Sequence, residues 1–430
     1  MALPLRLVVS EHLYAASAVP AVPTPALAGN RRVAVAVVGG GYTGLSTALH
    51  LAERGVDVAL VEAGEPGWGA AGRNGGQVNA GLKYEPDDVE RRYGPVHGPR
   101  LVKLSGEAPD YLFSLIDRHS LSCEAARSGT LRAAYKQGPV VALEASVAQW
   151  RARGVAMELW DSERVVAVTG TRRYRAATFD PRGGAVNPLS LARGLAAAAI
   201  GAGATIHGDS RATRLERVGQ GWRVVTGGGT LHADTVVLAT DGYSDALWPG
   251  LAASIIPIFS SILASAPLPA PLLAAILPAG QVVYESGNIT VYYRRDQANR
   301  LLIGGRGRQR PLRSAADCAH LKRYAETLWP ELAGIAWTHA WNGQFALTPD
   351  FYPRLHVPAP NLLIALGYSG RGVALATSMG RELAAAACGT DVSELALPVT
   401  PLTPIPLHRF WRVGVAARVA LGRLQDRFGR

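Results

Sequence analysis

Val33-Ala-Val-Ala-Val-Val38 runs directly into Gly39-Gly-Gly-Tyr-Thr-Gly44 and then into Leu45-Ser-Thr-Ala-Leu-His-Leu-Ala-Glu-Arg54. The first run is short, apolar and rich in β-branched residues, which predicts a parallel strand buried on both faces. The third run has helical spacing. A second apolar run, Val56–Val61, follows and ends at Glu62. This order of strand, turn, helix and strand predicts a βαβ unit at the start of an α/β sheet.

The turn between the first strand and the helix has the glycine pattern of a dinucleotide-binding unit. Gly39 allows the tight turn, Gly41 allows the backbone to approach a pyrophosphate, and Gly44 allows the helix and strand to pack closely. Tyr42 and Thr43 begin the helix, whose free N–H groups and partial positive charge favour phosphates. These residues are therefore candidate cofactor-binding residues.

Glu62 stands 18 residues after Gly44, at the end of the second strand. A carboxylate at this position can accept hydrogen bonds from both ribose hydroxyls of an adenosine. It would also repel a 2′-phosphate, which disfavours NADP. The unit as a whole predicts a dinucleotide cofactor without deciding which one.

Three later segments favour FAD over NAD. Residues 63–77 are dense in glycine, which suits a backbone that runs close along a large ring and its phosphates. Residues 234–242 are an apolar strand that ends in a small-residue turn, and residues 361–372 are a strand and a glycine turn. The second turn opens a helix over 373–387, whose N-terminus could face the flavin edge where negative charge accumulates on reduction.

With these segments in place, the sequence resembles the D-amino-acid-oxidase-like family of FAD-dependent oxidoreductases, and within it the gamma-glutamylputrescine oxidoreductase branch. The resemblance covers roughly residues 10–425, nearly the whole chain. It is carried by VVGGGYTGLSTALHLAERG (37–55), GAAGRNGGQV (69–78), VVLATDGYSDAL (236–247), WNGQFALTPDFYPRL (341–355) and GYSGRGVALATSMG (367–380).

The resemblance implies how the cofactor is held. Gly39, Gly41 and Gly44 would meet the pyrophosphate, and Glu62 the adenosine ribose. Ala212 would meet the adenine through its backbone. The remaining candidates would lie along the phosphates and the isoalloxazine: Ala63, Gly72, Arg73, Asn74, Gly75, Gly76, Gln77, Ala239, Thr240, Gly367, Gly370, Arg371, Gly372 and Val373.

Two departures from relatives refine this expectation. Some relatives attach flavin through a histidine, where this chain has Gly69, or through a cysteine before the Thr-Pro-Asp segment, where it has residues 343–346. We therefore expect non-covalent FAD. Alpha-amino-acid oxidases of the family place a carboxylate-binding arginine at the position of Phe345. Arg294 or Arg295 could replace that arginine, but its absence from the motif favours an amine without an adjacent carboxylate.

The predicted reaction is oxidation of a C–N bond in a small, gamma-glutamylputrescine-like amine. A neutral amine would pass hydride to flavin N5, and water would hydrolyse the imine. No catalytic residue is assigned, and O2 or another electron acceptor is left open. The alternatives are a sarcosine-, glycine- or D-amino-acid-type oxidase or dehydrogenase, and a membrane-associated electron-relay flavoprotein. The substrate candidates are Tyr292, Tyr293, Trp341, Gln344 and Phe345.

The predicted fold class is α/β, with a Rossmann-like FAD-binding domain of the glutathione-reductase type and a second, α+β substrate domain built on an antiparallel sheet. The FAD-binding domain would comprise residues 31–100, 170–247 and 340–390, and the substrate domain residues 101–169 and 248–339. Asn187 and Pro188 predict a helix N-cap and first helical position. Residues 1–30 would be an N-terminal arm, because Glu11 and His12 interrupt any signal-peptide core.

Composition restricts the partners. The net charge of +11 comes almost entirely from arginine, but the arginines are scattered, so we expect no nucleic acid. Three distant cysteines predict neither metal nor disulfides and fit a cytoplasmic protein. No apolar stretch is long enough to span a membrane. A homo-oligomer is left open.

The chain ends in a Pro-rich linker and a basic helix over 391–430. The helix combines arginines with Phe410, Trp411, Val413 and Leu421. Such a basic amphipathic helix can lie on a membrane surface. Docking on the domain or on a second subunit is the more ordinary interpretation.

Overall fold

The computed structural model describes residues 12–287 and 290–428, with the backbone alone for 423–428. The strands in this part of the chain are β1 Gly29–Val38, β2 Val58–Val61, β3 Gln77–Val78, β4 Thr130–Ala134, β5 Glu158–Asp161, β6 Ala176–Asp180, β7 Gly184–Ala185, β8 Thr205–His207, β9 Arg214–Val218, β10 Gly221–Val225, β11 Gly229–Leu238, β12 Ile256–Pro267, β13 Val282–Glu285, β14 Val291–Arg295, β15 Arg300–Arg306, β16 Trp337–Leu347, β17 Arg354–Ala359 and β18 Leu362–Leu366.

The helices connect the two large sheets and cover their faces. In chain order they are α1 Leu13–Ser17, α2 Tyr42–Ala52, α3 Pro86–Arg118, α4 Gln137–Arg151, α5 Ser162–Thr169, α6 Pro188–Gly201, α7 Ala270–Ala275, α8 Ala319–Leu328, α9 Gly372–Ala387 and α10 Trp411–Phe428.

The first large sheet has the strand order β17-β18-β11-β1-β2-β8, and β9 and β10 extend it as a meander beside β11. Strands β8, β2, β1, β11 and β18 are parallel. Every residue of β2 and β18 is buried, as expected for strands covered on both faces. Helices α2, α6 and α9 pack over one face in a core shared with α3, so the predicted α/β fold is confirmed.

Helix α6 has the N-cap that the sequence predicts. The Asn187 side chain accepts a hydrogen bond from the Ser190 N–H at 3.2 Å, and Pro188 occupies the first helical position. The cap satisfies an N–H group that the helix leaves unpaired. Leu189 of α6 lies against Gly67 and Gly72 of the glycine-dense segment, residues 63–77.

The second large sheet has the order β16-β12-β15-β14-β13-β4-β6-β5 and is antiparallel except for the parallel pair β13–β4. One face packs on α8 in a separate apolar core. The other face turns toward the carboxyl ends of the parallel strands, where Ile262 and Trp341 pack with Leu13 and Leu189. The substrate sheet is thus placed opposite the dinucleotide turn.

Some predicted domain limits do not match the sheets. Strand β6 pairs with β4 and β5, and β16 pairs with β12, so both strands belong to the second sheet. The sequence instead predicts residues 176–180 and 340–347 to be part of the FAD-binding domain. The limit at residue 100 falls inside α3, whose apolar residues pack beside α9. Propensity does not reveal these assignments because they depend on pairing between distant segments.

The N-terminal end of the described chain packs on the body of the protein. Leu13 and Tyr14 are buried, whereas residues 1–11 of the predicted arm lie outside the described residues. Helix α10 carries exposed apolar side chains at Val413 (68% exposed) and Leu421 (46%). In the described parts of the chain, no helix has the length and apolar character needed to cross a membrane.

Candidate active site

A cavity of about 1010 Å³ separates the parallel sheet from the second sheet. Its size is at the upper end of the range for small-molecule sites. Most of the predicted cofactor residues line it: Gly39, Gly41, Tyr42, Thr43, Glu62, Ala63, Arg73, Asn74, Gly75, Gln77, Ala212, Ala239, Thr240, Gly370, Arg371, Gly372 and Val373.

The dinucleotide turn has the backbone that its glycines predict. Gly39 has a φ of +111°, and a Cβ there would lie 2.7 Å from the Ala239 carbonyl oxygen. A Cβ on Gly44 would overlap the Gly39 carbonyl oxygen. Gly44 therefore lies behind the turn and not on the cavity, and it brings the N-terminus of α2 close to the end of β1.

Glu62 lies at the end of β2 and lines the cavity. Its carboxylate accepts hydrogen bonds from the Gly40 N–H at 2.6 Å and from the Gly64 N–H at 3.1 Å. Backbone donors on both sides thus orient the carboxylate next to the turn. Ala212 follows Ser210, whose N–H bonds to the Glu62 carbonyl oxygen, so the predicted ribose and adenine positions are adjacent.

The segment Gly72–Gln77 makes a sharp turn that is stabilised by hydrogen bonds of its own side chains. Asn74 accepts a hydrogen bond from the Gly76 N–H at 2.8 Å and donates to the Ala70 and Ala71 carbonyl oxygens. Gln77 donates to the carbonyl oxygens of Val283 and Tyr293 on the second sheet. Gly72 and Gly76 lie against neighbouring backbone and do not line the cavity.

Successive side chains of β14 point to opposite faces of the sheet, so the two candidate tyrosines lie on opposite sides of it. Tyr292 lines the cavity, and its hydroxyl lies 3.0 Å from the Ser260 hydroxyl. Burial raises the pKa of Tyr292, so the phenol stays protonated. Tyr293 faces the opposite core, where its hydroxyl bonds to Tyr174. Tyr293 is therefore placed outside the cavity.

Strand β16 supplies the other substrate candidates. Gln344 and Phe345 line the cavity, and the Gln344 amide donates to the Gly242 carbonyl oxygen. Trp341 is buried behind them, where its indole N–H donates to the Arg73 carbonyl oxygen at 2.9 Å and its ring packs on Tyr14. Trp341 therefore supports the segment that contains Arg73.

Neither arginine considered as a replacement for Phe345 reaches the cavity. Arg294 is buried and donates to the carbonyl oxygens of Gly75, Val186 and Arg295. Arg295 donates to the carbonyl oxygens of Leu273 and Pro278 on the far side of the sheet. Both guanidinium groups donate to backbone acceptors and neither lines the cavity, so neither takes the place of the arginine that Phe345 replaces.

Helix α9 begins at Gly372, on the cavity, and Arg371 precedes it. The Arg371 guanidinium donates to the Tyr284 hydroxyl at 2.8 Å and to the Ala80 carbonyl oxygen at 3.2 Å. This arrangement joins the N-terminus of α9 to strand β13 of the second sheet. The positive end of the helix and the guanidinium both favour negative charge in the space between the sheets.

Asp241 is a site residue that the sequence analysis missed. Its carboxylate accepts hydrogen bonds from the Gly367 N–H at 2.8 Å and the Ala346 N–H at 3.3 Å. Burial raises the pKa of Asp241, against the opposing effect of these backbone donors. One carboxylate thereby joins the turn after β11 to the end of β16 and to the turn after β18. Gly367 lies in this last turn and does not line the cavity.

A group of cationic side chains at the second-sheet end was also missed. Lys83, Arg132, Lys136, Arg306 and Arg371 all line the cavity. Only Arg371 lay in a motif, because the others come from separate loops and strands. The fold places all five on one cavity, and Arg371, Arg306 and Arg132 lie close enough to Lys83 to lower its pKa. Local sequence patterns could not have indicated this group.

The residues present fit FAD. The α2 N-terminus and its glycine turn suit a pyrophosphate, Glu62 suits a ribose, and the α9 N-terminus suits the flavin edge that becomes negative. The cavity is continuous between these points. Fold and site together define an FAD-dependent oxidoreductase.

Comparison with known proteins gives the same class. The family model described as "DAO: FAD dependent oxidoreductase" matches residues 34–386, so the chain belongs to this family. It is 32% identical to the gamma-glutamylputrescine oxidoreductase of Escherichia coli over 97% of this chain and 98% of that protein. It is also 32% identical to a probable oxidoreductase OrdL of Rhizobium meliloti, over 88% of this chain and 89% of the other.

A solved structure supports the fold. The glycine oxidase from Geobacillus kaustophilus superposes with a TM-score of 0.73 and 24% identity, over 87% of this chain and 99% of that chain. This agreement confirms the predicted FAD-binding fold with a second sheet.

Proposed function

We propose that the protein oxidises a C–N bond of a small amine of the gamma-glutamylputrescine type. The observation that carries the proposal is the continuous cavity, which joins the dinucleotide turn to Tyr292, Gln344 and Phe345 on the second sheet. Phe345 occupies the position at which the resemblance would place a carboxylate-binding arginine. The whole-length similarity to a gamma-glutamylputrescine oxidoreductase supports the same substrate type.

FAD would be bound without a covalent link. No histidine or cysteine of the described residues lines the cavity, and Gly69 stands where a histidine would be needed. When bound, FAD supplies the two-electron acceptor for the C–N bond. The acceptor that reoxidises it, O2 or another, is not assigned, and the cytoplasmic location stays a prediction.

The chain's own contribution is to exclude water and to control charge. The Arg371 guanidinium and the positive N-terminus of α9 disfavour an ammonium ion beside them, so they lower the pKa of an amine bound there and favour its neutral form. The neutral amine has the free electron pair that C–N oxidation requires. Tyr292 and Phe345 provide an apolar surface for the carbon being oxidised, and water hydrolyses the imine product.

The test is anaerobic mixing of the flavin-loaded protein with a panel of polyamines, glutamylated polyamines and N-methyl amino acids. Bleaching of the visible flavin band by a glutamylated polyamine is the expected result. If no amine bleaches the flavin, the proposed reaction is wrong although FAD binding stands. Faster bleaching by sarcosine or glycine would instead support the alpha-amino-acid alternative.

A membrane-associated electron relay is a second candidate because α10 exposes apolar side chains beside its arginines. Val413 is 68% exposed and Leu421 is 46% exposed. If the relay interpretation holds, removal of residues 407–430 abolishes binding to anionic vesicles and electron delivery. Unchanged activity and solubility after this deletion would reject it.

A further inference from the structure

The second-sheet end of the cavity has an excess of positive charge. Arg132 is neutralised by Glu85, with an N–O distance of 2.6 Å. Arg371 donates to a neutral hydroxyl and a carbonyl oxygen and not to a carboxylate. The remaining cations are Lys83, Lys136 and Arg306.

These three cations have no acidic partner among the described residues. The Lys136 ammonium is buried without a hydrogen-bond partner. Burial alone lowers the pKa of Arg306, and no nearby carboxylate opposes the shift. Lys83 rests on the Phe351 ring at 4.5 Å, and its pKa is lowered by burial and then by the charges of neighbouring arginines, Arg371, Arg306 and Arg132.

Placing several cations together without counter-charge is costly unless an anion completes the site. The acidic side chains that line the cavity do not supply it. Glu285 accepts hydrogen bonds from the Tyr174 hydroxyl at 2.9 Å and from the Tyr324 hydroxyl. Glu62 bonds to backbone N–H groups at the dinucleotide turn, and Asp245 pairs with Arg211 at 2.7 Å near Ala212. Asp241 is held by the Gly367 and Ala346 N–H groups.

The cofactor phosphates do not account for the charge either. The pyrophosphate position is the N-terminus of α2, beside β1. Arg306 instead ends β15, where it pairs with Ser260, which pairs in turn with Gly343. Arg306 thus lies two strand spacings, about 10 Å, across the second sheet from β16. The positive group belongs to the substrate side of the cavity.

We propose that Arg306, with Lys83 and Lys136, forms a subsite for an anionic group of the substrate, held apart from the C–N bond that is oxidised. This inference rests on the proposed function. A carboxylate suits the planar donor fork of arginine, which can bind it through two parallel hydrogen bonds. The substrate class is then an amine that carries a remote carboxylate. A diamine lacks this carboxylate, so the positive side chains repel it and no group of the ligand binds to them.

The first experiment compares matched substrates in anaerobic flavin reduction. The pair is a gamma-glutamylated diamine with its free carboxylate and the same compound with that carboxylate converted to a carboxamide. We expect the acid to be preferred by about 10- to 100-fold in the rate constant of flavin reduction divided by the dissociation constant, the range for a hydrogen bond to a charged group. Equal values for the two compounds would overturn the subsite.

The second experiment uses Arg306→Gln, Arg306→Lys and the control Arg308→Gln. Arg308 lies two residues away but pairs with Asp317 at 3.0 Å and does not line the cavity. Arg306→Gln should raise the dissociation constant of the acid, leave that of the carboxamide unchanged and so abolish the preference. Arg306→Lys should recover part of it, and Arg308→Gln should behave as the unaltered protein.

The failures of the two proposals can be told apart. If neither compound reduces the flavin of the unaltered protein, the proposed amine oxidation is wrong. If both reduce it and Arg306→Gln affects them equally, only the subsite is wrong. Loss of FAD from Arg306→Gln and Arg306→Lys, but not from Arg308→Gln, would assign Arg306 to the cofactor and overturn the inference.

Discussion

Glu62 shows how backbone donors can fix the orientation of a side chain that lines the cavity. Its two oxygens accept from Gly40 and Gly64 on either side of the turn, so the carboxylate is oriented before any ribose binds. Little side-chain entropy is then lost on binding. The geometry depends on both oxygens being acceptors.

Glu62→Gln replaces one of these acceptors with an amide donor that faces a backbone N–H group. We expect FAD affinity to fall by about tenfold, which corresponds to one hydrogen bond to a charged group. Flavin fluorescence titration of the apoprotein measures the change. Glu65→Gln is the control, because Glu65 pairs with Arg193 outside the cavity; equal affinity of the two variants would contradict the role of Glu62.

Some residue roles could be read from the sequence and others could not. The glycine turn and Glu62 act within one local βαβ unit, so their spacing was sufficient. The choice between Tyr292 and Tyr293 required the orientation of β14, which depends on which face of the sheet is covered. Arg306 is not part of any motif, and its position depends on pairing with β12.

The N-terminus of helix α2 lies against the end of strand β1, with no room for a side chain at Gly44. A Cβ on Gly44 would overlap a backbone oxygen that cannot move away without opening the turn. The helix therefore supplies its N–H groups to the cavity only while this position has no side chain.

Gly44→Ala should separate α2 from β1 and weaken both folding and FAD binding. We expect a loss of about 1–3 kcal/mol of unfolding free energy, the range for overpacking. Chemical denaturation with and without FAD measures both effects. Gly201→Ala is the control, because a Cβ there meets nothing within 4 Å in helix α6, and it should be neutral or slightly stabilising.

Most strands and helices around the site follow from local pattern. The apolar runs at β1, β2, β11 and β18 and the capped start of α6 were predictable, because burial on both faces and N-capping are local effects. The allocation of β6 and β16 to the second sheet was not, since it results from pairing between segments far apart in sequence.

Burial favours the neutral form of His12, His50 and His356, which lie in different parts of the molecule. Burial lowers the pKa of His12 to about 4, from an ordinary value of 6.5, with a smaller effect of Arg73. Burial also lowers the pKa of His50 and of His356. The unfolded chain therefore binds more protons than the native protein as the solution becomes acidic.

The native protein should lose stability below the ordinary histidine pKa. The contribution of His12 is complete above about pH 6.5 and decreases as the pH falls toward about 4. Thermal denaturation at about pH 7 and about pH 5 should give a lower Tm at the acidic value. His12→Gln should reduce this dependence, and a Tm that does not change over the range would contradict the prediction.

The separation of the two cavity ends has a practical consequence for protein engineering. The dinucleotide turn lies within 39–44, whereas the side chains of β12, β14 and β15 that line the far end come from residues 256–306. A library confined to cavity-facing positions of those three strands would leave the flavin-holding loops intact. Variants with altered substrate selectivity could then be selected from this library by growth on other amines. The yellow colour of bound flavin would show which variants still fold and bind the cofactor.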